Sequence, residues 1–529
     1  MEKFTPSSAR LAARKKKRRL IWQLDALGEH EMRGMEPDAY LKFIFGYLDE
    51  ENAPVDAIYW DFMLAGDFYA MYDSKLLPRR RMKMFGPWLQ SGFDMMGELT
   101  RGAKKRGVES ILVHRISEVD IGLDELDYAQ KRAHPDWQLD SVWYAEHMKH
   151  YGDPALGLLN LSNPEVRAHK VRVLTELLEK YDWDGLEIDL CRHTPFLPRG
   201  REWESRRALT GFMAELRSVL DRLEKENGHP YLLSVRTGET PEICKHDGVD
   251  IETWLEADLI DSVTAGGRSL SPDVEGMRRL LSRSDGVQLY ATIDFHHASD
   301  GYALPPVEVW RGVCASLYAR GIDGVKLFNW WTSPEALRRR IAKEAHLPTL
   351  LDYPPNHADE AMRELGDPSF VRSADRTFVV ERRGGYPWAD GLSNRNVHAQ
   401  LPLDVNPSVS VTLHAAGALA GRRITLGVLV SEADGAALTV SLNGQSLELL
   451  SEETGFLDST IPPRGSDWTS GYRPDRMRAA VNVRRLVYAV GSGLNEGFQT
   501  VSVASDRPMR LEKTELYVTA ADGEQTSDG

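Results

Sequence analysis

Cysteine is scarce in this chain: three residues in 529, Cys191, Cys244 and Cys314, with no CxxC pair among them. That scarcity argues against a disulfide-stapled scaffold and for reduced, buried thiols. No run approaches about 18 consecutive apolar residues, so no membrane-spanning helix is expected. The first twenty residues hold no apolar leader core. With the reduced cysteines, this makes a cytoplasmic chain, or one whose leader has been removed, the expectation. Positive charge is also short. Lys and Arg number 65 against 79 Asp and Glu, for a net charge of −14. A nucleic-acid partner is therefore not expected. The one basic run, Arg14 to Arg19, reads as part of a solvated tail over residues 1–19; a localisation signal or polyanion contact is the alternative. Internal repeats are lacking, and no GxGxxG follows any strand-like run.

What the chain does have is alternation. A hydrophobic content of 42% and a charged content of 27% suit a globular protein, and 529 residues exceed one core, so two or three domains are expected. Between residues 20 and 345, short β-rich runs alternate with helical patterns, the mark of parallel βα units. Eight strand candidates are Leu20–Ala26, Asp56–Phe62, Glu109–Ile116, Gly185–Cys191, Tyr231–Thr237, Leu259–Ala265, Val287–Asp294 and Gly324–Trp330. Eight cycled units predict a (β/α)8 TIM barrel over 20–345. A linker is expected at 346–375, then an antiparallel β-sandwich (jelly-roll-like) domain over 376–520, and a disordered tail at 521–529. The sandwich rests on β-patterned runs such as Val409–His414, Arg423–Val430, Ala479–Val487 and Gly497–Ala504, with an Asn443-Gly444 turn. A sugar-binding module and a packing domain both fit it.

Strand alternation assigns side chains to the barrel interior. It points Gln23, Asp25, Tyr59, Asp61, His114, Glu187, Asp189 and Cys191 inward. From the later strands it adds Ser234, Arg236, Tyr290, Thr292, Asp294, Lys326, Phe328 and Trp330. Polar residues gather at the C-terminal strand ends, where TIM barrels carry their active sites. Side chain 189 is expected to emerge into a water-accessible funnel there.

The run Asn160-Leu161-Ser162-Asn163-Pro164-Glu165-Val166-Arg167, a helix, and then Tyr181-Asp182-Trp183-Asp184-Gly185-Leu186-Glu187-Ile188-Asp189 resembles the core of the family-10-like glycosyl hydrolases. Trp254–Asp261, Val287–Ile293 and Gly324–Trp331 are similar to that group's sixth, seventh and eighth strands. The resemblance covers roughly residues 20–345 and implies a hydrolase-type barrel acting on glycosides. The fourth strand also resembles that of family 18 chitinases, but the proton-donating Glu of that family falls on Cys191, so chitinase chemistry is not expected. Against family 13 amylases the nucleophilic Asp falls on Asp189 and a following His on His193, while an expected Arg is Glu187.

Glycoside cleavage uses two carboxyl groups, one ionised and one protonated. Asp189 is the candidate for the ionised one, held down by Arg192 or Arg236. Glu239 and Asp294 compete as the acid, and Glu187 is a further candidate or an orienting group for Arg236 or Lys326. Asp25, Tyr59, Asp61, His114, Arg192, His193, Arg236, His296, Lys326 and Trp330 are candidate substrate contacts, with Trp60 and Trp331 assigned to the core. The resulting expectation is a glycoside hydrolase of an oligo- or polysaccharide, with a carbohydrate as partner, no membrane partner and no cofactor. Homo-oligomerisation stays open. A non-catalytic carbohydrate-binding or scaffold barrel is one alternative. A metal-dependent hydrolase or lyase using Asp294 and His296 is the other.

Overall fold

Parallel strands in a sheet of this length need crossover helices, and both appear in turn. The computed structural model describes residues 3–24, 34–61, 68–79, 85–116, 131–139, 158–191, 194–267, 269–294, 302, 305–347, 357–382, 399–456, 458, 460, 483–491 and 493–521. Eight strands close into one parallel barrel: β1 (Leu20–Leu24), β2 (Ala57–Asp61), β3 (Glu109–Arg115), β4 (Gly185–Asp189), β5 (Leu232–Thr237), β6 (Ser262–Ala265), β7 (Gln288–Asp294) and β8 (Gly324–Phe328). Closure is the pairing of Leu20–Gln23 with Val325–Phe328.

Local chemistry explains the borders. The helix Pro164–Lys180 starts where the Asn163 side chain accepts from the Glu165 backbone N–H at 2.9 Å, with proline at its first turn. Asp184 accepts from the Ser110 backbone N–H at 2.7 Å, pinning β4 to β3. Gly185 follows because a Cβ there would stand 2.5 Å from the Leu232 carbonyl oxygen.

The N-terminal segment departs from the solvated tail expected for it. Residues Ser8–Lys15 form a helix, α1, capped by Ser7. Arg10 and Arg14, one turn apart, are buried beneath the barrel. Both reach Asp261, which is also met by Arg217 from the helix Glu202–Asn227. A basic run becomes ordered structure because a buried carboxylate 247 or more residues away answers it. Arg18 and Glu109, 2.5 Å apart, lie at the same end. Above them Ile21, Ala57, Tyr59, Ile111, Val113 and Tyr290 form an apolar plug inside the barrel.

The expected linker also contains helices, Ala358–Glu364 and Pro368–Val371, with Ala361, Met362 and Val371 buried. Two antiparallel sheets follow. The larger orders β10 (Leu403–Val405), β18 (Met509–Thr519), β12 (Arg423–Ser431), β16 (Arg484–Ala489) and β15 (Glu448–Thr454), with β9 (Arg376–Val379) also on β18. The smaller orders β11 (Ser408–Ala415), β17 (Gly497–Ser505), β13 (Leu438–Leu442) and β14 (Gln445–Ser446). This region docks on the barrel helix Val307–Arg320, labelled α2 here. At Gly312 the approach is so close that a Cβ would stand 2.1 Å from the Thr377 carbonyl oxygen. Glu381 reinforces the docking by accepting from Ser269 Oγ (2.9 Å) and the Leu270 N–H (2.7 Å) in the loop after β6. No helix among the described residues is long and apolar enough to cross a membrane.

Candidate active site at the C-terminal end of the barrel

The inner wall turns from apolar to charged toward the strand C-termini. Just above the plug, Lys326 donates to both oxygens of Glu187 at 2.6 Å and lies 3.9 Å from the centre of the Tyr59 ring. Thr264 on β6 donates to the same carboxylate at 3.3 Å. Burial pushes the Glu187 carboxyl up from its ordinary value, and Lys326 opposes that rise. Tyr59 therefore supports the Lys326–Glu187 pair from below rather than facing the mouth.

One step further out, Arg236 donates to Asp189 at 2.9 Å, and the Cys191 backbone N–H donates to the other carboxylate oxygen at 2.9 Å. Burial alone would raise the Asp189 carboxyl. Arg236 and Arg115 overcome that and hold it below the usual carboxylate range. Arg236 lies 4.5 Å from the Phe328 ring centre, which fixes its plane. Asp61 completes the layer, 3.2 Å from Arg115 and 3.3 Å from the Gln23 amide. Asp61, Glu187 and Asp189 thus each face a cation. Asp189 carries no exposed surface, so the water-accessible funnel expected around it is not what this structure displays.

The other acid candidates flank this layer. Asp294 ends β7 opposite Phe328 and adds to the field that raises the Arg236 pKa, although burial works against that charge. Glu239 follows β5, with its backbone carbonyl accepting from the Asp273 N–H at 2.9 Å. Cys191 is buried, its thiol 2.7 Å from the Thr237 carbonyl oxygen, and burial pushes its pKa well up. It stays a protonated thiol.

Two inward orientations fail. His114 points into the helix layer, its Nε2 3.5 Å from Lys170 Nζ on the helix Pro164–Lys180, and its neighbour Arg115 takes the inner position. Trp330 packs outward as well. Its ring meets Trp310 of α2 edge-on at 5.2 Å, and its N–H donates to the Ile293 carbonyl at 3.0 Å. Asn329, at φ +61°, breaks the strand alternation just before it. Trp60 and Trp331 are in the core as expected. Asp25, Arg192, His193 and His296 lie outside the described residues. Among the described residues no group of three or more His, Cys, Asp or Glu could hold a metal ion.

Residues 41–196 match the family model described as Glycosyl hydrolase-like 10. The stretch similar to the glycosyl hydrolase-like 10 family contains Asp61, Arg115, Glu187 and Asp189, the core of the charged layer. No curated protein matches the chain. Among solved structures, a cycloisomaltooligosaccharide glucanotransferase of Paenibacillus sp. is 10% identical with a TM-score of 0.35; 93% of this chain and 57% of that one are covered. The chain thus spans a little over half the length of that relative. The PgaB glycoside hydrolase domain of Bordetella bronchiseptica is 13% identical with a TM-score of 0.42, covering 63% of this chain and 98% of that one. An alpha-galactosidase of Geobacillus stearothermophilus is 12% identical with a TM-score of 0.33, covering 94% and 57%.

Proposed function

We propose that this chain is a glycoside hydrolase cleaving an oligo- or polysaccharide at the C-terminal end of its barrel. Asp189 is the ionised carboxylate, and Glu239 or Asp294 is the general acid. One observation carries the reading: an inward carboxylate ending β4, kept ionised by Arg236 and Arg115, lies within the stretch similar to the glycosyl hydrolase-like 10 family. An ionised carboxylate is what attack at, or charge stabilisation of, an anomeric carbon needs, while the second carboxyl must give a proton to the leaving oxygen. With Asp189 as nucleophile the configuration is retained, which NMR of the first-formed anomer reads directly.

The test is turnover on a panel of oligosaccharides. Asp189→Asn should lower kcat by at least about 10³-fold per folded molecule; full activity in that variant sinks the assignment. The acid is identified by leaving-group dependence. Glu239→Gln or Asp294→Asn, whichever removes the proton donor, should lose activity on sugars yet keep it on aryl glycosides, whose leaving groups need no proton.

The complete pairing of Asp61, Glu187 and Asp189 with three cations favours a second reading, a barrel that binds carbohydrate without cleaving it. Binding with no product from any substrate in the panel would select it.

A further inference from the structure

A second place on the molecule has the chemistry for sugar, away from the barrel axis. Strands β11, β13 and β17 contain no Asp, Glu, Lys or Arg, in a chain where such residues make up 27%. Their outward side chains are mostly hydroxyls: Thr412 stands opposite Thr500, and Ser410 opposite Ser502, with Oγ atoms 2.8 Å apart. From β13, Thr439 and Ser441 extend the face. The β11 edge is closed not by charge but by the Gln400 side chain, which donates to the Thr412 carbonyl at 2.8 Å and accepts the Thr412 N–H at 2.7 Å.

At one end of that face His414 stands opposite Phe498, their rings edge to face at 4.9 Å. Phe498 is 60% exposed, more than any other large apolar side chain described. Beneath it a cavity of about 220 Å³ opens between the sheet, α2 and the loop after β6. Its floor is a fixed donor–acceptor pair: Arg320 gives Glu275 two hydrogen bonds, at 2.9 and 2.6 Å, and lies 5.5 Å from the Phe498 ring centre. Arg320 is in turn held by the Pro272 carbonyl at 3.0 Å.

We propose that this cavity and the hydroxyl face beside it bind a neutral oligosaccharide. One sugar ring lies on Phe498, its hydroxyls meet Glu275 and Arg320, and further sugar units run along Thr412, Thr500 and Ser410. Each element suits that ligand. An aromatic face accepts the C–H side of a pyranose without desolvating its hydroxyls. With Arg320 also donating to Ser271 Oγ at 3.3 Å, the locked pair offers the remaining carboxylate lone pairs and one guanidinium N–H side by side. A charge-free hydroxyl surface neither repels nor selects by charge. Asp273, in the cavity wall, donates its backbone N–H to the Glu239 carbonyl at 2.9 Å.

This inference stands whether or not the barrel hydrolyses sugar, and its test separates the two. Binding is measured on the full chain carrying Asp189→Asn, by saturation-transfer NMR and calorimetry, with cellohexaose, maltoheptaose, isomaltoheptaose and laminarihexaose as probes. At least one probe should bind, with Phe498 ring protons perturbed. Phe498→Ala should weaken that probe at least fivefold, while Leu449→Ala, an exposed apolar side chain on the other sheet, leaves it unchanged. Glu275→Gln should weaken it by a smaller factor. No binding of any probe overturns the proposal, as does binding indifferent to Phe498. So does concentration-dependent dimerisation abolished by Phe498→Ala without saccharide binding, since the face would then be a self-association surface. Phe498-dependent binding, with no product released from any probe by the wild-type protein, upholds this site and counts against the hydrolase reading.

Discussion

The two ends of the barrel hold the same electrostatic device for different ends. At the N-terminal face Asp261 is buried and gripped by Arg10, Arg14 and Arg217. Toward the C-terminal face Asp189 is buried and held by Arg236 beside Arg115. Both carboxyls sit below their ordinary pKa, with burial opposing and arginines winning. Burial and a depressed pKa therefore do not distinguish a reactive carboxylate from a structural one. What differs is what surrounds the pair. Both accept a backbone N–H, Asp261 from Leu233 at 2.8 Å and Asp189 from Cys191 at 2.9 Å, but Asp261 is sealed by α1. Asp189 ends a strand where the βα loops begin, the position from which TIM barrels do chemistry.

The comparison breaks if the two residues behave alike on substitution. Asp189→Asn should produce the largest effect, about 10³-fold or more in kcat. It should also cost stability, because Arg236 is left buried without its counter-charge. Adding Arg236→Gln removes that orphan, so the double variant should recover much of the lost stability, read by urea unfolding, and recover no turnover. Asp261→Asn should do the reverse: about 3–5 kcal/mol of stability lost, as Arg10 loses its carboxylate and Arg14 and Arg217 keep only Asp258 and Asp221, and kcat per folded molecule unchanged. Loss of turnover in Asp261→Asn beyond its unfolded fraction would erase the distinction between the two ends.

Acid sharpens the same contrast. A carboxyl whose folded pKa is depressed contributes stability that is full above its unfolded value, near 3.8 for Asp, and fades as pH falls through the folded value. Wild-type Tm should therefore fall as pH drops below about 3.8. In Asp261→Asn the fall should be shallower, by the share that Asp261 carried; an unchanged slope would mean its arginines do not set its pKa.

How much of this was legible beforehand depends on the range of the interaction. Strand positions were local, and seven of the eight barrel strands lie within two residues of their expected ends. The sixth begins later, at Ser262, because Asp258 turns the chain at φ +53° and Leu259–Asp261 are still approaching the barrel. The Tyr181–Asp189 motif was visible too, but much of it is structural: Tyr181 donates to Asp94, Trp183 to the Leu177 carbonyl, and Asp184 ties two strands. What stayed hidden were long-range partners. Arg10 and Arg14 look like parts of a solvated tail until Asp261 arrives from across the chain.

The smallest expected effect tests the parity of β3, where sequence could not decide. Both of its faces are apolar: Ile111 and Val113 on one, Leu112 on the other. Alternation alone therefore could not say whether His114 or Arg115 faces inward. The register decides it, since Arg115 pairs with Asp189 across β3 and β4 and reaches Asp61 on β2. His114→Ala should accordingly shift kcat/KM by less than about threefold and stability by no more than about 1 kcal/mol, as a side chain at the edge of the helix layer. Arg115→Ala should cost several times that in stability, because the buried Asp61 and Asp189 both lose a nearby cation. Equal effects from the two substitutions would mean that the charged layer draws nothing from Arg115, and that Arg236 alone keeps Asp189 ionised.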